Sequence, residues 1–216
     1  MKKQLDVLEK EIHILKENEK VEAVLLTGSV AYGVAADNSD LDLIVITNEN
    51  KFISEYVDGI LVEKHFCKYR TLLKKFENNP IDIYKYLYSK IIFDYNGKFD
   101  KLIIKSKEIY KNYITPQKEM DDICYWLSAT KIKLLSAINS NDKMKISYLI
   151  STNTWKVLEG VWAKNNKPMP PSSIAFAKYS ELTFPPFDNW LSELLVGDNL
   201  LRVNAMIRII DWICER

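Results

Sequence analysis

The sequence predicts a mixed α/β domain over residues 1–115 and an α-helical domain over 116–216. Up to Pro116, short apolar runs at 21–27, 41–47, 52–57, 60–66 and 91–94 alternate with segments of helical spacing. After Pro116 the strand signals stop, and 118–139 and 143–164 read as long amphipathic helices. No internal repeat or low-complexity tract interrupts either half.

The elements follow in order. Leu5, Leu8, Ile12 and Leu15 recur at helical spacing among charges, so 4–18 is expected to be a helix with those residues inward. Residues 21–27 form a short strand, and Ser29 to about Ala35 a helical turn closed by the polar loop Ala36-Asp37-Asn38-Ser39. Residues 41–47 are apolar almost throughout, as in a strand buried on both faces. Asp58-Gly59 between Phe52–Val57 and Ile60–Phe66 signals a hairpin, with Asp58 as a turn residue. Residues 70–90 read as helix, broken near Asn78-Asn79-Pro80. Ile91–Asp94 is a short strand, with Asp94 a turn former before Asn96-Gly97. Phe99–Tyr113 is a helix that buries Leu102, Ile103, Ile109, Tyr110 and Tyr113. Beyond the Pro-containing break at 165–173, shorter helices precede a last one capped by Asp198, with Leu201, Ile209 and Trp212 inward.

Composition narrows the function. The chain of 216 residues is 47% hydrophobic and carries 30 basic against 29 acidic residues, a net charge of +1. That balance argues against a general nucleic-acid partner. Cys67, Cys124 and Cys214 have no zinc spacing and read as buried apolar residues in a reducing cytoplasm. The start, Met1-Lys2-Lys3-Gln4-Leu5-Asp6, leads into mixed charge unlike a signal peptide, and no apolar run is long enough for a membrane span.

The chemistry concentrates in one stretch. Val24-Leu25-Leu26-Thr27-Gly28-Ser29 ends a strand, and ten residues later Asp40-Leu41-Asp42 heads the next. Strand period puts Asp40 and Asp42 on one face. A Gly-Ser turn opening a helix can offer backbone N–H groups to an anion. Paired carboxylates beside such a turn suit divalent metal and phosphate. A third acid on a neighbouring strand would complete the set. Glu63 is the best candidate, sharing a face with Leu61 and His65 and opposed to Val62 and Lys64.

Thr27-Gly28-Ser29, Asp40-Leu41-Asp42 and the acid on a later strand resemble the DNA polymerase beta-like nucleotidyltransferase superfamily. The layout is similar to small bacterial enzymes that modify antibiotics such as kanamycin and lincosamides. Gly33, Ser39 and Ile92-Phe93-Asp94-Tyr95-Asn96-Gly97 add to the likeness, which covers about residues 20–100. The resemblance implies a mixed sheet flanked by helices, two Mg²⁺ ions and ATP or another nucleoside triphosphate. Gly28, Ser29 and Ser39 would bind the nucleotide. Asp40, Asp42 and Glu63 would be the catalytic and metal-binding residues, with Glu63, Glu119, Asp121 or Asp122 drawing the proton from an acceptor hydroxyl. Many superfamily members have Asp where this chain has Glu63. The implied reaction moves a nucleoside monophosphate, AMP from ATP by preference, to a hydroxyl of a small molecule such as an antibiotic. Related antibiotic-modifying enzymes are often homodimers.

Two other functions compete. One is an AMPylating antitoxin that modifies a partner protein, although minimal antitoxins of this type usually lack a helical domain of this length. The other is a non-catalytic nucleotide sensor, against which the intact Asp40, Asp42 and Glu63 argue. Elsewhere, His65 is expected to be structural, His13 solvated, Lys131 to snorkel or line a cleft, and the five tryptophans to be mostly core.

Overall fold

The computed structural model describes residues 2–215, the side chains of Glu77 and Asn78 excepted. Five strands form one sheet: β1 (Ala23–Thr27), β2 (Leu41–Ile46), β3 (Lys51–Val57), β4 (Ile60–Cys67) and β5 (Lys90–Asp94), in the order β3-β4-β2-β1-β5. β1 runs antiparallel to β2 and β5, β3 antiparallel to β4, and β2 parallel to β4, so the sheet is mixed. Asp58 and Gly59 join β3 to β4 with φ of 50° and 74°, the paired positive angles of a tight hairpin turn.

The two sheet faces carry separate apolar clusters. Val24, Leu26, Leu41, Leu43, Val45, Ile60 and Val62 pack with Val7, Leu8 and Leu15 of α1 (Lys2–Glu17). Ala23, Leu25, Ile44, Ile46 and Cys67 pack on the other face with Leu72 and Phe76 of α3 (Tyr69–Asn78), Tyr84 and Tyr86 of α4 (Tyr84–Leu87) and Phe99 and Leu102 of α5 (Lys98–Asn112). Both faces of β1 and β2 are thus covered, which is why those strands read as continuous apolar runs.

The chain divides into two compact units. The first runs through Asn112 and takes in Pro170–Ala177, whose Ile174 joins the second apolar cluster. The other comprises Tyr113–Met169 and the chain from Lys178 on. It contains α6 (Gln117–Asn139), α7 (Lys143–Lys164), α9 (Trp190–Val196) and α10 (Asn199–Cys214), while α8 (Ser172–Lys178) lies largely in the first. Leu127 and Leu134 of α6, Val157 and Val161 of α7 and Ile209 and Ile213 of α10 are buried. Gly160 lets α7 approach its neighbours closely, since a Cβ there would stand 2.7 Å from Ile213 Cδ1 and 3.2 Å from Leu127 Cδ1. Asp198 caps α10 by accepting from Leu201 N at 2.8 Å.

Several expectations need correction. The buried stripe of α1 is Gln4, Val7, Leu8, Glu11 and Leu15, whereas Leu5 is 49% exposed and Ile12 only half-buried. Two polar residues take inward places because each finds a partner. The predicted helix at 70–90 is α3, a 3-10 turn at Pro80–Ile83 and α4, separated by Pro80 and by Asn79, whose side chain caps Ile81 N. Asp94 does more than form a turn: its carboxylate accepts from Lys98 N and Phe99 N and caps α5. Leu201 is 41% exposed and Trp212 only half-buried. Trp162 and Trp190 are core, but Trp126 is 55% exposed, with its Nε1–H donating to Asn153 Oδ1, and Trp155 is also exposed. Cys67 is buried as expected; Cys124 and Cys214 are half-buried. Lys131 pairs with Asp211 of α10.

Candidate active site

The site is built at one end of the sheet. β1 ends at Thr27, and Gly28 turns the chain into α2 (Gly28–Tyr32) with φ of 71°. Thr27 Oγ1 donates to Lys85 O at 3.0 Å and lies 3.1 Å from Tyr32 Oη, which pins the turn to α4. A Cβ on Gly28 would stand 1.9 Å from Asp42 Oδ2, so the carboxylate occupies the space a side chain would need. Glycine is required there twice over, by the left-handed backbone and by this approach.

Strand register aligns the acids. Thr27 pairs with Asp42 across β1 and β2, and Asp42 pairs with Glu63 across β2 and β4. The three residues form one row on the face opposite Leu41, Leu43 and Val62. Asp40 lies in the loop just before β2. Burial, with the charges of Asp40 and Glu63 beside it, pushes the Asp42 carboxyl up to about 6. Asp42 thus lies close enough to Asp40 and Glu63 to feel the charge of each.

The remaining expected residues fall as follows. Ser29 Oγ is buried and has no hydrogen-bond partner. Ser39 is half-buried, and its Oγ accepts from Ala36 N at 2.9 Å, closing the loop before Asp40. His65 lies two residues beyond Glu63 and packs against Phe52, with centroids 4.5 Å apart and the rings tilted by 43°. Desolvation there, and then the charges of Lys85 and Lys75, hold its imidazole below the ordinary range. Glu119, Asp121 and Asp122 lie on α6 in the second unit, where Glu119 accepts from Tyr113 Oη and Asp121 from Gln117 Nε2. Sequence reasoning missed Gln4 and Glu11, both buried on α1, and the Thr27–Tyr32–Lys85 contacts. Beside Asp40 a cavity of about 540 Å³ opens between the 37–40 loop and the hairpin residues Tyr56 and Gly59–Leu61.

Among the described residues no group of three or more His, Cys, Asp or Glu is gathered into a metal-holding cluster. The donor set nevertheless fits Mg²⁺. That ion is ordinarily held by one or two carboxylates together with substrate phosphates, not by an all-protein cage. Asp42, its carboxyl raised by burial and then by the charges of Asp40 and Glu63, and the buried, unpartnered Ser29 hydroxyl are oxygen donors of the kind such a joint site would use.

A mixed sheet that holds a Gly-Ser turn against paired aspartates at one end defines a nucleotidyl-transferring catalytic domain. Residues 9–109 match the family model described as polymerase beta, nucleotidyltransferase. A protein of Methanocaldococcus jannaschii named as a protein adenylyltransferase is 37% identical over 79 residues, which are 35% of this chain and 79% of that protein. The chain belongs to the polymerase beta-type nucleotidyltransferase family and is a nucleotidyltransferase. The solved structure of a nucleotidyltransferase-like protein from Exiguobacterium sibiricum 255-15 aligns over 91% of this chain and 70% of that one, at 14% identity and a TM-score of 0.41. Among the described residues no helix is long and apolar enough to cross a membrane.

Proposed function

We propose that this enzyme transfers AMP from ATP to a hydroxyl of a small molecule. The observation that carries the reading is the row Thr27–Asp42–Glu63, with Asp40 beside it and the carboxylate of Asp42 seated against Gly28. Gly28 and the Ser29 hydroxyl bind the triphosphate, and Ser39 holds the loop that brings Asp40 to it. Asp40, Asp42 and Glu63 would hold the divalent ions. When bound, Mg²⁺ neutralises the triphosphate and stabilises charge developing at the α-phosphoryl group. The acceptor oxygen attacks the α-phosphorus, the bond to the bridging oxygen of pyrophosphate breaks, and Glu63 takes the hydroxyl proton. A small acceptor accords with the presence of a helical unit beyond the catalytic domain.

A second reading places the acceptor hydroxyl on a protein. It is favoured by the name of the archaeal relative, which aligns with 35% of this chain. One experiment separates the two. The enzyme is incubated with Mg²⁺ and ATP labelled at the α-phosphate, once with a panel of hydroxylated antibiotics and once with lysate proteins. Label on a small molecule supports the first reading, and label on a discrete protein band replaces it with the second. Absence of label in both, together with no ATP binding by calorimetry, overturns the proposal.

A further inference from the structure

The loop that carries Asp40 is held from behind by a residue that belongs to no recognised motif. Gln4, on the first turn of α1, is fully buried at 0% exposure. Its Nε2 donates to Ala36 O at 3.0 Å and Asp37 O at 2.9 Å, and lies 3.5 Å from Ser39 O. The side-chain orientation is fixed by that company, since an amide oxygen turned toward three carbonyls would be repelled. Gln4 Oε1 is buried with no partner. An acceptor left unsatisfied in the core is unfavourable, so the bonds made by the amide nitrogen are what offset it.

The loop needs such a hold. Eight residues, 33–40, connect α2 to β2, and Gly33, Val34 and Ala36 to Asn38 are exposed. Within the loop, Ala36 N donates to Ser39 Oγ at 2.9 Å and Ser39 N to Ala36 O at 3.1 Å, which closes the turn on itself. Asp40 and Asp42 repel one another, so a hold on the loop that carries Asp40 opposes that repulsion. We propose that Gln4 is a positioning residue for nucleotidyl transfer: through its amide nitrogen it clamps the 36–39 backbone and thereby holds Asp40 beside Asp42 for joint cation binding.

The inference rests on the metal role proposed for Asp40 and Asp42, and the test separates the two. The full-length protein and its Gln4→Met variant, which keeps the side-chain length and loses the donor, are compared in two measurements. The first is Mn²⁺ affinity in the presence of α,β-methylene ATP, read by water-proton relaxation. The expected result is a loss of about 10- to 100-fold, the range for removing an outer partner of a metal ligand. The second is amide hydrogen exchange over residues 37–41 in the metal-free protein, which should quicken in the variant while exchange in the central strands stays as it was. Should Gln4→Met fail to fold, Gln4→Asn retains both amide groups at shorter reach and should move both readouts in the same direction by less. A folded variant with unaltered Mn²⁺ affinity, or with unaltered exchange at 37–41, overturns the clamp. Wild-type protein that binds no Mn²⁺ overturns the metal reading instead, and the exchange measurement then still decides whether Gln4 holds the loop.

Discussion

Glu63 and Lys64 are successive residues of β4 on opposite faces of the sheet, and their surroundings differ completely. Lys64 Nζ is buried between Glu11 of α1 and Glu55 of β3, at 2.7 Å from each. Burial alone would lower its pKa, but the bonds to both glutamates carry the ammonium above its ordinary value. Glu63 faces the other way, toward Asp42, in a group of carboxylates that repel one another. In the first cluster the lysine finds its counter-charge within the protein and fastens α1 to the sheet. In the second, burial and the charges of Asp40 and Glu63 raise the Asp42 carboxyl. A charged residue in a strand therefore reads as structural or functional according to whether the fold itself supplies its counter-charge.

Substitutions can break that contrast from either side. Asp42→Asn should have the largest effect: nucleotidyl transfer falls by about 10³-fold, equivalent to several kcal/mol of lost metal stabilisation. The same variant should unfold at equal or higher urea concentration near neutral pH, because repulsion is relieved. Retained turnover would remove Asp42 from the site. Lys64→Met should do the reverse. It leaves Glu11 buried without its partner and should cost about 3–5 kcal/mol in urea unfolding, and adding Glu11→Leu should restore much of that. Turnover per folded molecule should stay close to wild type. A collapse of turnover in fully folded Lys64→Met would show the two faces to be coupled, not separate.

Gly28→Ala comes next, since the new methyl group collides with Asp42 Oδ2 in a left-handed backbone. A displacement of this kind lowers transfer by about 10²-fold, measured as pyrophosphate release. The smallest effect is that of pH on the metal-free protein. The folded state raises the Asp42 carboxyl from 3.8 to about 6, so between those values the folded chain holds a proton that the unfolded chain has given up. Stability from this group is present below that window, declines as pH rises through it and is level above. Urea midpoints for wild type and Asp42→Asn should therefore converge toward the acid end and separate toward neutrality.

Much of this was legible in the sequence. The Gly28-Ser29 turn, the Asp40–Asp42 pair and the Asp58-Gly59 hairpin are local signals, and α6 and α7 span almost the stretches their apolar spacing marks. Parallel pairing of β4 with β2 was not written locally, yet it is what puts Glu63 level with Asp42. The inward turn of Gln4 and Glu11 was hidden for a related reason. Periodicity follows apolar residues, and these two are buried because partners 32 and 53 positions away in the chain receive them. Trp126 is an exception to the expectation that the tryptophans are mostly core: its indole nitrogen reaches Asn153 and the residue is 55% exposed.

The return of Pro170–Ala177 to the catalytic half has a consequence for how the molecule is made. Ile174 fills the apolar layer beneath the sheet together with Phe99 and Leu102. During synthesis that layer gains Ile174 only after both long helices α6 and α7 have been translated. A truncation after Asn112 would expose that gap permanently, so the two halves of this chain cannot be parted by a single cut without leaving the catalytic one unfinished.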